Sequence, residues 1–515
     1  MLRRFGYFSP LLFGVFPVLA LAADNARSAP IGQVLRSSLV CLAGAAVLWG
    51  LFRLLIGDWA RAAAMTSVAW VVVFTYGHLH SLSDEFPVFR NRTLLPAALL
   101  LLAAAFFLLR RMRREPARLG QALALMSGVL VLVSTVRIAS YRWQSRAGAP
   151  AVVETRESSE GRIAARGDLP DVYYIILDGH ASAETLRDLY GFDETPFLDG
   201  LRARGFYVAE RSRSNYAQTP LSLASSTNME YIPGEIQVEG LRTRDAEPLY
   251  RMIEDSRVMR AFKDRGYKFV NFQSGWTVTA KNRHADWDVD CGGWEEFNRA
   301  LAQTTLLEAF RVFQPVEEQS RDRILCQFAT LEEIPRRIPG PRYVFAHFVS
   351  PEGSLLFGRN GEPVARRPLA DDWADKAGYV EQLAFVDRRI TAAIDRILAA
   401  SPRRPVIVVQ ADHGSASEGY TWMYQPAGEP ITGREKGLDP FLRERMSILN
   451  AYLLPGGNEG LYASISPVNS FRVIRNRYFG EKYPLLEDRS FFSRYSQPYA
   501  LLDVTDRVKA PAPER

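Results

Sequence analysis

Nearly every long apolar run of this chain lies before residue 140, so the chain must satisfy two solvents, lipid first and water afterwards. Five runs can be read there: Phe5–Ala22, Leu39–Ile56, Ala62–Tyr76, Leu94–Leu109 and Leu119–Ile138. Crossing the hydrocarbon core takes about 20 residues, with roughly 17 as the lower limit. The third and fourth runs therefore need their flanks. The first has a rival reading, because Arg3-Arg4, an apolar core and Ala20-Leu21-Ala22 also resemble a cleaved signal peptide.

Arginine placement favours five spans. Arg3 and Arg4 precede the first run, Arg53 and Arg61 flank the turn between the second and third, and Arg110, Arg111, Arg113, Arg114 and Arg118 crowd the turn between the fourth and fifth. The positive-inside rule then puts the N-terminus in the cytoplasm. An odd number of spans puts everything after residue 140 on the outer side. The expected organisation is a membrane region over 1–140, a linker over 141–170 and an extracytoplasmic domain over 171–515. Ser145–Pro150 is small and flexible, and Glu154–Arg166 is charged without apolar period, as a tether requires.

The net charge of +6 raises the question of nucleic acid, but no basic helix with interleaved aromatics occurs, so that partner is not expected. Of three cysteines, Cys41 lies in an apolar run, while Cys291 and Cys326 fall where a disulfide can persist if the domain is extracytoplasmic. No Cys-x-x-Cys pattern is present, which argues against a thiolate zinc site. His78 and His80 read as interfacial, and His284 as a surface residue.

From Asp171 short apolar runs alternate with amphipathic stretches. The strand candidates are Val172–Leu177, Phe206–Ala209, Lys268–Phe272, Tyr343–Phe348 and Val406–Gln410. Helical period marks Ala181–Tyr190, Thr195–Arg204, Pro220–Met229, Arg257–Arg265 and Lys376–Ala399. Such alternation predicts an α/β fold, a mainly parallel sheet between helical layers. The stretches Asn360–Asp372 and Tyr420–Gly437 read as loops that shape a cleft.

In an open α/β sheet, ligands bind beyond the carboxyl ends of the parallel strands. Three strand candidates end there in usable chemistry: Asp178-Gly179 after the first, His347 near the end of another, and Asp412-His413-Gly414 after the last. Oxygen and imidazole side by side suit a divalent cation such as Zn²⁺ or Mn²⁺, although Asp178 alone would equally serve as a helix cap. Thr219 precedes Pro220, which suits the first position of a helix, so Thr219 is expected at the N-cap, where phosphate binds readily. A nearby cation would lower its hydroxyl pKa and prepare a nucleophile. Asn215, Gln218 and His180 flank these groups and are candidates for substrate contact, with loop ordering the alternative for Asn215 and Gln218.

The order of acid, hydroxyl, histidine and Asp-His resembles the alkaline phosphatase superfamily, in its membrane-anchored, sulfatase-like branch. Lipoteichoic acid synthases and phosphoethanolamine transferases belong to that branch and carry five spans before an extracytoplasmic α/β domain. The resemblance covers Asp171 to about Phe492, including Ser214–Met229 and the tail from Glu444 to Tyr452. It implies an α/β/α sandwich in which Asp178, Thr219, Asp412 and His413 bind one divalent ion (Mn, Zn or Mg), Thr219 forms a covalent phospho-enzyme, and His347 contacts phosphate or leaving group.

The implied function is transfer or hydrolysis of a phosphorus ester, with a membrane lipid or envelope glycan as substrate, at an inner-membrane, multi-pass location. Two alternatives stand beside it. A non-catalytic scaffold is motivated by Glu352, which stands where relatives carry a second histidine, and by the lack of any histidine after His413; Glu352 is also a candidate for substrate contact and could bind metal or act as a base. A sulfuric ester hydrolase is disfavoured, because Thr219-Pro220-Leu221-Ser222 has neither the Cys or Ser nor the arginine of formylglycine sulfatases.

Overall fold

The computed structural model describes residues 6–26, 29, 31–83, 86–112, 116–147, 169–233, 246–293, 296–310, 316–364, 372–424 and 435–509. Most of the expected linker, Arg3, Arg4, Arg113, Arg114 and parts of both expected cleft loops lie outside these residues. The chain forms two compact units. One is Met1–Ala147 with Trp294–Pro315, and the other is Gly148–Gly293 with Val316–Arg515.

Among its described residues the first unit contains five long helices: α1 (Ser9–Asp24), α2 (Ile31–Ile56), α3 (Trp59–His80), α4 (Asn91–Arg111) and α5 (Pro116–Ala147). All five are long and apolar enough to cross a bilayer, α1 when counted with its preceding turn from Gly6. The third and fourth gain the length their apolar runs lacked by recruiting flanks, with Asp58 capping α3 through the Arg61 N–H at 2.9 Å. Outward positions stay apolar, among them Val40, Leu54 and Leu100, as lipid-facing helices require. A short helix, α6 (Glu296–Gln303), belongs to this unit, where Asn298 accepts from Ser37 at 2.8 Å. The Gly77 N–H donates to Thr304 O at 3.0 Å, an approach that a Cβ at residue 77 would block, 2.0 Å from Gln303 O.

The second unit is built on a seven-stranded sheet in the order β2-β7-β6-β1-β5-β3-β4. Its strands are β1 (Val172–Leu177), β2 (Tyr207–Val208), β3 (Lys268–Phe272), β4 (Trp287–Val289), β5 (Arg342–Phe348), β6 (Val406–Gln410) and β7 (Asn450–Leu453). The run β6-β1-β5-β3-β4 is parallel, and β7 pairs antiparallel with both β6 and β2. Central strands read as unbroken apolar runs because both faces are covered. Val172, Tyr174 and Ile176 of β1 enter one hydrophobic core, and Tyr173, Ile175 and Leu177 the other. Val406 and Val408 of β6 divide from Ile407 and Val409 in the same way.

Helices supply each cover. On the first face lie α9 (Thr219–Asn228), α10 (Glu247–Glu254), α11 (Arg257–Asp264) and α15 (Pro467–Phe479). On the second lie α8 (Thr195–Ala203), α12 (Val316–Arg337) and α13 (Lys376–Ala400). Helices α7 (Ala183–Tyr190) and α14 (Leu438–Met446) contribute to a third apolar cluster. A two-stranded ribbon, β8 (Phe491–Arg494) with β9 (Gln497–Asp503), and α16 (Thr505–Lys509) complete the unit. Cys291, just after β4, and Cys326 of α12 form a disulfide with Cα atoms 5.7 Å apart.

Candidate metal centre and nucleophile

Register brings the sequence-predicted groups together. Ile176 of β1 lies opposite His347 of β5 on one side and Gln410 of β6 on the other. Two residues later, the chain emerging from β1 and β6 carries Asp178 and Asp412 past the sheet edge. Gly179 permits the turn after Asp178: its φ is +71°, and a Cβ there would stand 2.7 Å from the Glu352 Cβ.

Four groups converge on Nε2 of His413. Thr219 Oγ1 lies 3.0 Å away, Asp412 Oδ2 3.2 Å, Asp178 Oδ1 3.5 Å and Arg445 Nη2 2.9 Å. Nδ1 of His413 donates to Gly414 O at 3.1 Å, which leaves Nε2 as the bare nitrogen in the neutral ring. The helix α9 begins with Thr219 itself, and Gln218, not Thr219 as the sequence suggested, holds the N-cap position. Thr219 is therefore inside the first turn, and its hydroxyl points to His413 instead of capping the helix. The turn carrying Asp412 is held by hydroxyls: Ser214 and Ser222 both donate to Asp412 O at 2.5 Å.

His347 and Glu352 complete the surroundings. His347 Nε2 is 3.2 Å from Asp178 Oδ2, and its Nδ1 is 2.8 Å from Thr279 Oγ1. Glu352 Oε2 lies 3.3 Å from Arg445 Nη1 and 3.4 Å from His413 Nδ1. Gln382 secures the loop that carries Glu352, accepting from the Leu356 and Phe357 N–H groups and donating to Pro351 O.

Charge in this pocket is out of balance. Burial, with Asp412 close by, pushes Asp178 well above the usual carboxylate range. Burial likewise raises Asp412 and lifts Glu352 to about 8, against the pull of Arg445. Burial and the Arg445 charge push His413 far down, so it stands neutral. Neither Asp178 Oδ1 nor Asp412 Oδ2 receives a hydrogen bond from any described residue, although both are buried. Orphaned carboxylate oxygens, a bare imidazole nitrogen and a hydroxyl within a few ångströms are a donor set that fits a hard or borderline divalent cation.

The remaining candidates sit elsewhere. Asn215 donates to Arg489 O at 2.8 Å and accepts from the Val468 N–H at 2.9 Å, so its amide is occupied in ordering loops. Gln218 donates to Ser493 O at 2.9 Å and to Ser493 Oγ at 2.8 Å. His180 turns away from Thr219 toward Asp387 and Glu194. Arg445 had no assigned role in the sequence, where it stands in the charged run Arg443-Glu444-Arg445 at the end of α14. Its neighbour Glu444 fastens the turn after His413, accepting from Ser415 Oγ and from the N–H groups of Ser417 and Glu418.

No family model matches the chain, and no curated protein matches its sequence. Solved structures do resemble it. The C-terminal periplasmic domain of EcEptC from Escherichia coli shares 14% identity over 67% of this chain and 94% of that chain, with a TM-score of 0.44, and a second structure of that domain is a complex with Zn. The integral membrane protein lipooligosaccharide phosphoethanolamine transferase A from Neisseria meningitidis shares 14% identity over 91% of this chain and 94% of its own, at a TM-score of 0.36. A protein in the alkaline phosphatase superfamily from Vibrio parahaemolyticus shares 9% identity over 65% and 75% respectively, also at 0.36.

Proposed function

We propose that this protein is a metal-dependent enzyme of the cell envelope that transfers or hydrolyses a phosphorus ester through a covalent intermediate on Thr219. One observation carries the reading. The Thr219 hydroxyl, at the start of α9, lies 3.0 Å from the unprotonated nitrogen of His413, beside two carboxylates that each have an oxygen with no hydrogen bond from any described residue. Asp178, Thr219, Asp412 and His413 would hold the ion. When bound, a divalent cation supplies Lewis-acid charge and lowers the hydroxyl pKa of Thr219.

The protein's own groups account for the remainder. Thr219 Oγ1 attacks phosphorus; the Oγ1–P bond forms, the bond from phosphorus to the leaving oxygen breaks, and the threonine proton departs to solvent. The N–H groups of the first turn of α9 and the guanidinium of Arg445 face the charge on the phosphoryl oxygens. Arg445 stays protonated: burial is the largest single effect and lowers its pKa, but Glu352, Tyr495, Tyr420 and Asp412 together raise it further than burial lowers it. In the second half, water or an acceptor hydroxyl attacks phosphorus opposite Oγ1; the new P–O bond forms, the P–Oγ1 bond breaks, and the attacker's proton goes to solvent while Oγ1 takes one up to restore the threonine hydroxyl. Five helices suited to a bilayer would keep this domain beside lipid-linked substrates on the outer face of an inner membrane.

The scaffold reading retains one supporting observation: the Arg445 cation sits 2.9 Å from the nitrogen that a metal would take. Incubating the purified full chain with a chromogenic phosphodiester and mapping peptides by mass spectrometry separates the two. An enzyme yields a phosphorylated adduct on the peptide carrying Thr219 and stoichiometric metal. A protein that holds neither is a scaffold.

A further inference from the structure

Beside the centre just described, on the same carboxyl edge of β1, a second set of side chains converges without being used by it. His180 follows the β1 turn, Glu194 immediately precedes α8, and Asp387 belongs to α13. All three are buried, at 0%, 2% and 5% exposure. His180 Nε2 lies 2.9 Å from Asp387 Oδ1 and 3.5 Å from Glu194 Oε1.

The orientation of the ring matters most. Nδ1 of His180 lies 3.0 Å from Ala181 O, and a carbonyl can only accept, so Nδ1 carries the hydrogen. Nε2 points at both carboxylates, 2.9 Å from Asp387 Oδ1, and it would offer its lone pair to a cation that displaced the proton it shares with Asp387. This repeats the arrangement at His413, whose Nδ1 donates to the carbonyl of the next residue and whose Nε2 faces Asp178 and Asp412. Metal-bound histidines usually donate their other ring N–H to a carbonyl or carboxylate in this manner.

Glu194 supplies the second, independent observation. Its residue is the N-cap of α8, yet its side chain makes no capping bond, and neither carboxylate oxygen receives a hydrogen bond from any described residue. A buried carboxylate left without a donor bears its full desolvation cost, so a missing positive partner is the economical explanation. A divalent cation among the three would balance both carboxylates, and their ligand atoms all lie within 4.8 Å of one another. Arg388, next to Asp387, does not fill the role, since its guanidinium donates to Arg359 O.

We infer that His180, Glu194 and Asp387 form a second divalent-cation site, separate from the Thr219 centre, with one imidazole and two carboxylates as ligands. The donor set suits Zn²⁺ or Mn²⁺. Its three ligands come from the β1–α7 turn, the start of α8 and the middle of α13, so a bound ion ties the turn that carries Asp178 to two helices of the covering layer.

The test is metal content of the purified full chain, stripped with chelator, reloaded with Zn²⁺ and desalted. Glu194→Gln and Asp387→Asn should each hold one ion fewer than wild type. Asp412→Asn should lose an ion from the Thr219 centre, so failure of that centre is read separately. In the Asp412→Asn chain, added Zn²⁺ should still raise the melting temperature, and the rise should vanish when Glu194→Gln is combined with it. Zinc-edge anomalous scattering from wild-type crystals should place an ion at His180 Nε2. Wild-type ion counts in both Glu194→Gln and Asp387→Asn, or no anomalous peak at His180, would overturn the site.

Discussion

In the proposed mechanism, Thr219 and the neighbours that would hold the metal make separable contributions. Thr219→Ala should remove turnover while leaving metal content close to wild type, whereas Thr219→Ser should keep partial activity because a hydroxyl remains at the start of α9. Covalent catalysis divides one difficult displacement into two easier ones, so the alanine loss should be large. Residual Thr219→Ala activity above about a tenth of wild type, a barrier change of only roughly 1.4 kcal/mol, would mean that water attacks directly. Asp412→Asn and His413→Ala should instead empty the centre, each removing a ligand, and metal analysis after dialysis is the check. Asp178, His347, Asp412 and His413 were legible as chemistry at strand ends. Arg445 was not, because an arginine becomes a site residue only when surrounding elements bury it beside Glu352 and His413.

Elements determine how accurately those residues are held. Gly179→Ala must place a side chain at φ +71° and a Cβ 2.7 Å from Glu352. The left-handed conformation alone costs about 1–2 kcal/mol. The variant should unfold earlier in denaturant and retain metal poorly, and a wild-type midpoint would show that the turn relaxes freely. The disulfide closes a loop spanning 35 positions, which the chain-entropy model values at about 4 kcal/mol. Cys291→Ser with Cys326→Ser should lower the melting temperature markedly; an equal loss on adding reductant to wild type, with no change on adding it to the double variant, assigns the effect to the bridge. Strands β1, β3 and β6 were readable to the residue, because their apolar side chains serve two cores at once. The short strands β4 and β7 escaped notice, and so did α12, whose charged positions obscure the stripe Ile324, Phe328, Leu331 that it buries.

For the whole molecule, five spans and the arginine-rich turn near Arg110–Arg118 predict that the chain after Tyr141 lies outside the cytoplasm. A reporter fused after Arg166 should be active only in an extracytoplasmic form, and activity of a cytoplasmic reporter there would overturn the topology. Detection of a mature N-terminus at Ala23 would replace the first span with a signal peptide. The division between a lipid-facing and a water-facing region follows from the sequence alone, because apolar length and arginine placement are local properties that the bilayer reads directly. The α/β character of the second unit follows likewise from alternating runs. What only the tertiary structure decided is which groups meet. Strand register set Asp178 and Asp412 against one nitrogen of His413, and the packing of α8 and α13 turned His180 away to Glu194 and Asp387. Those encounters join residues far apart in the chain, and no local pattern encodes a distance that exists only once the sheet and its helices have closed together.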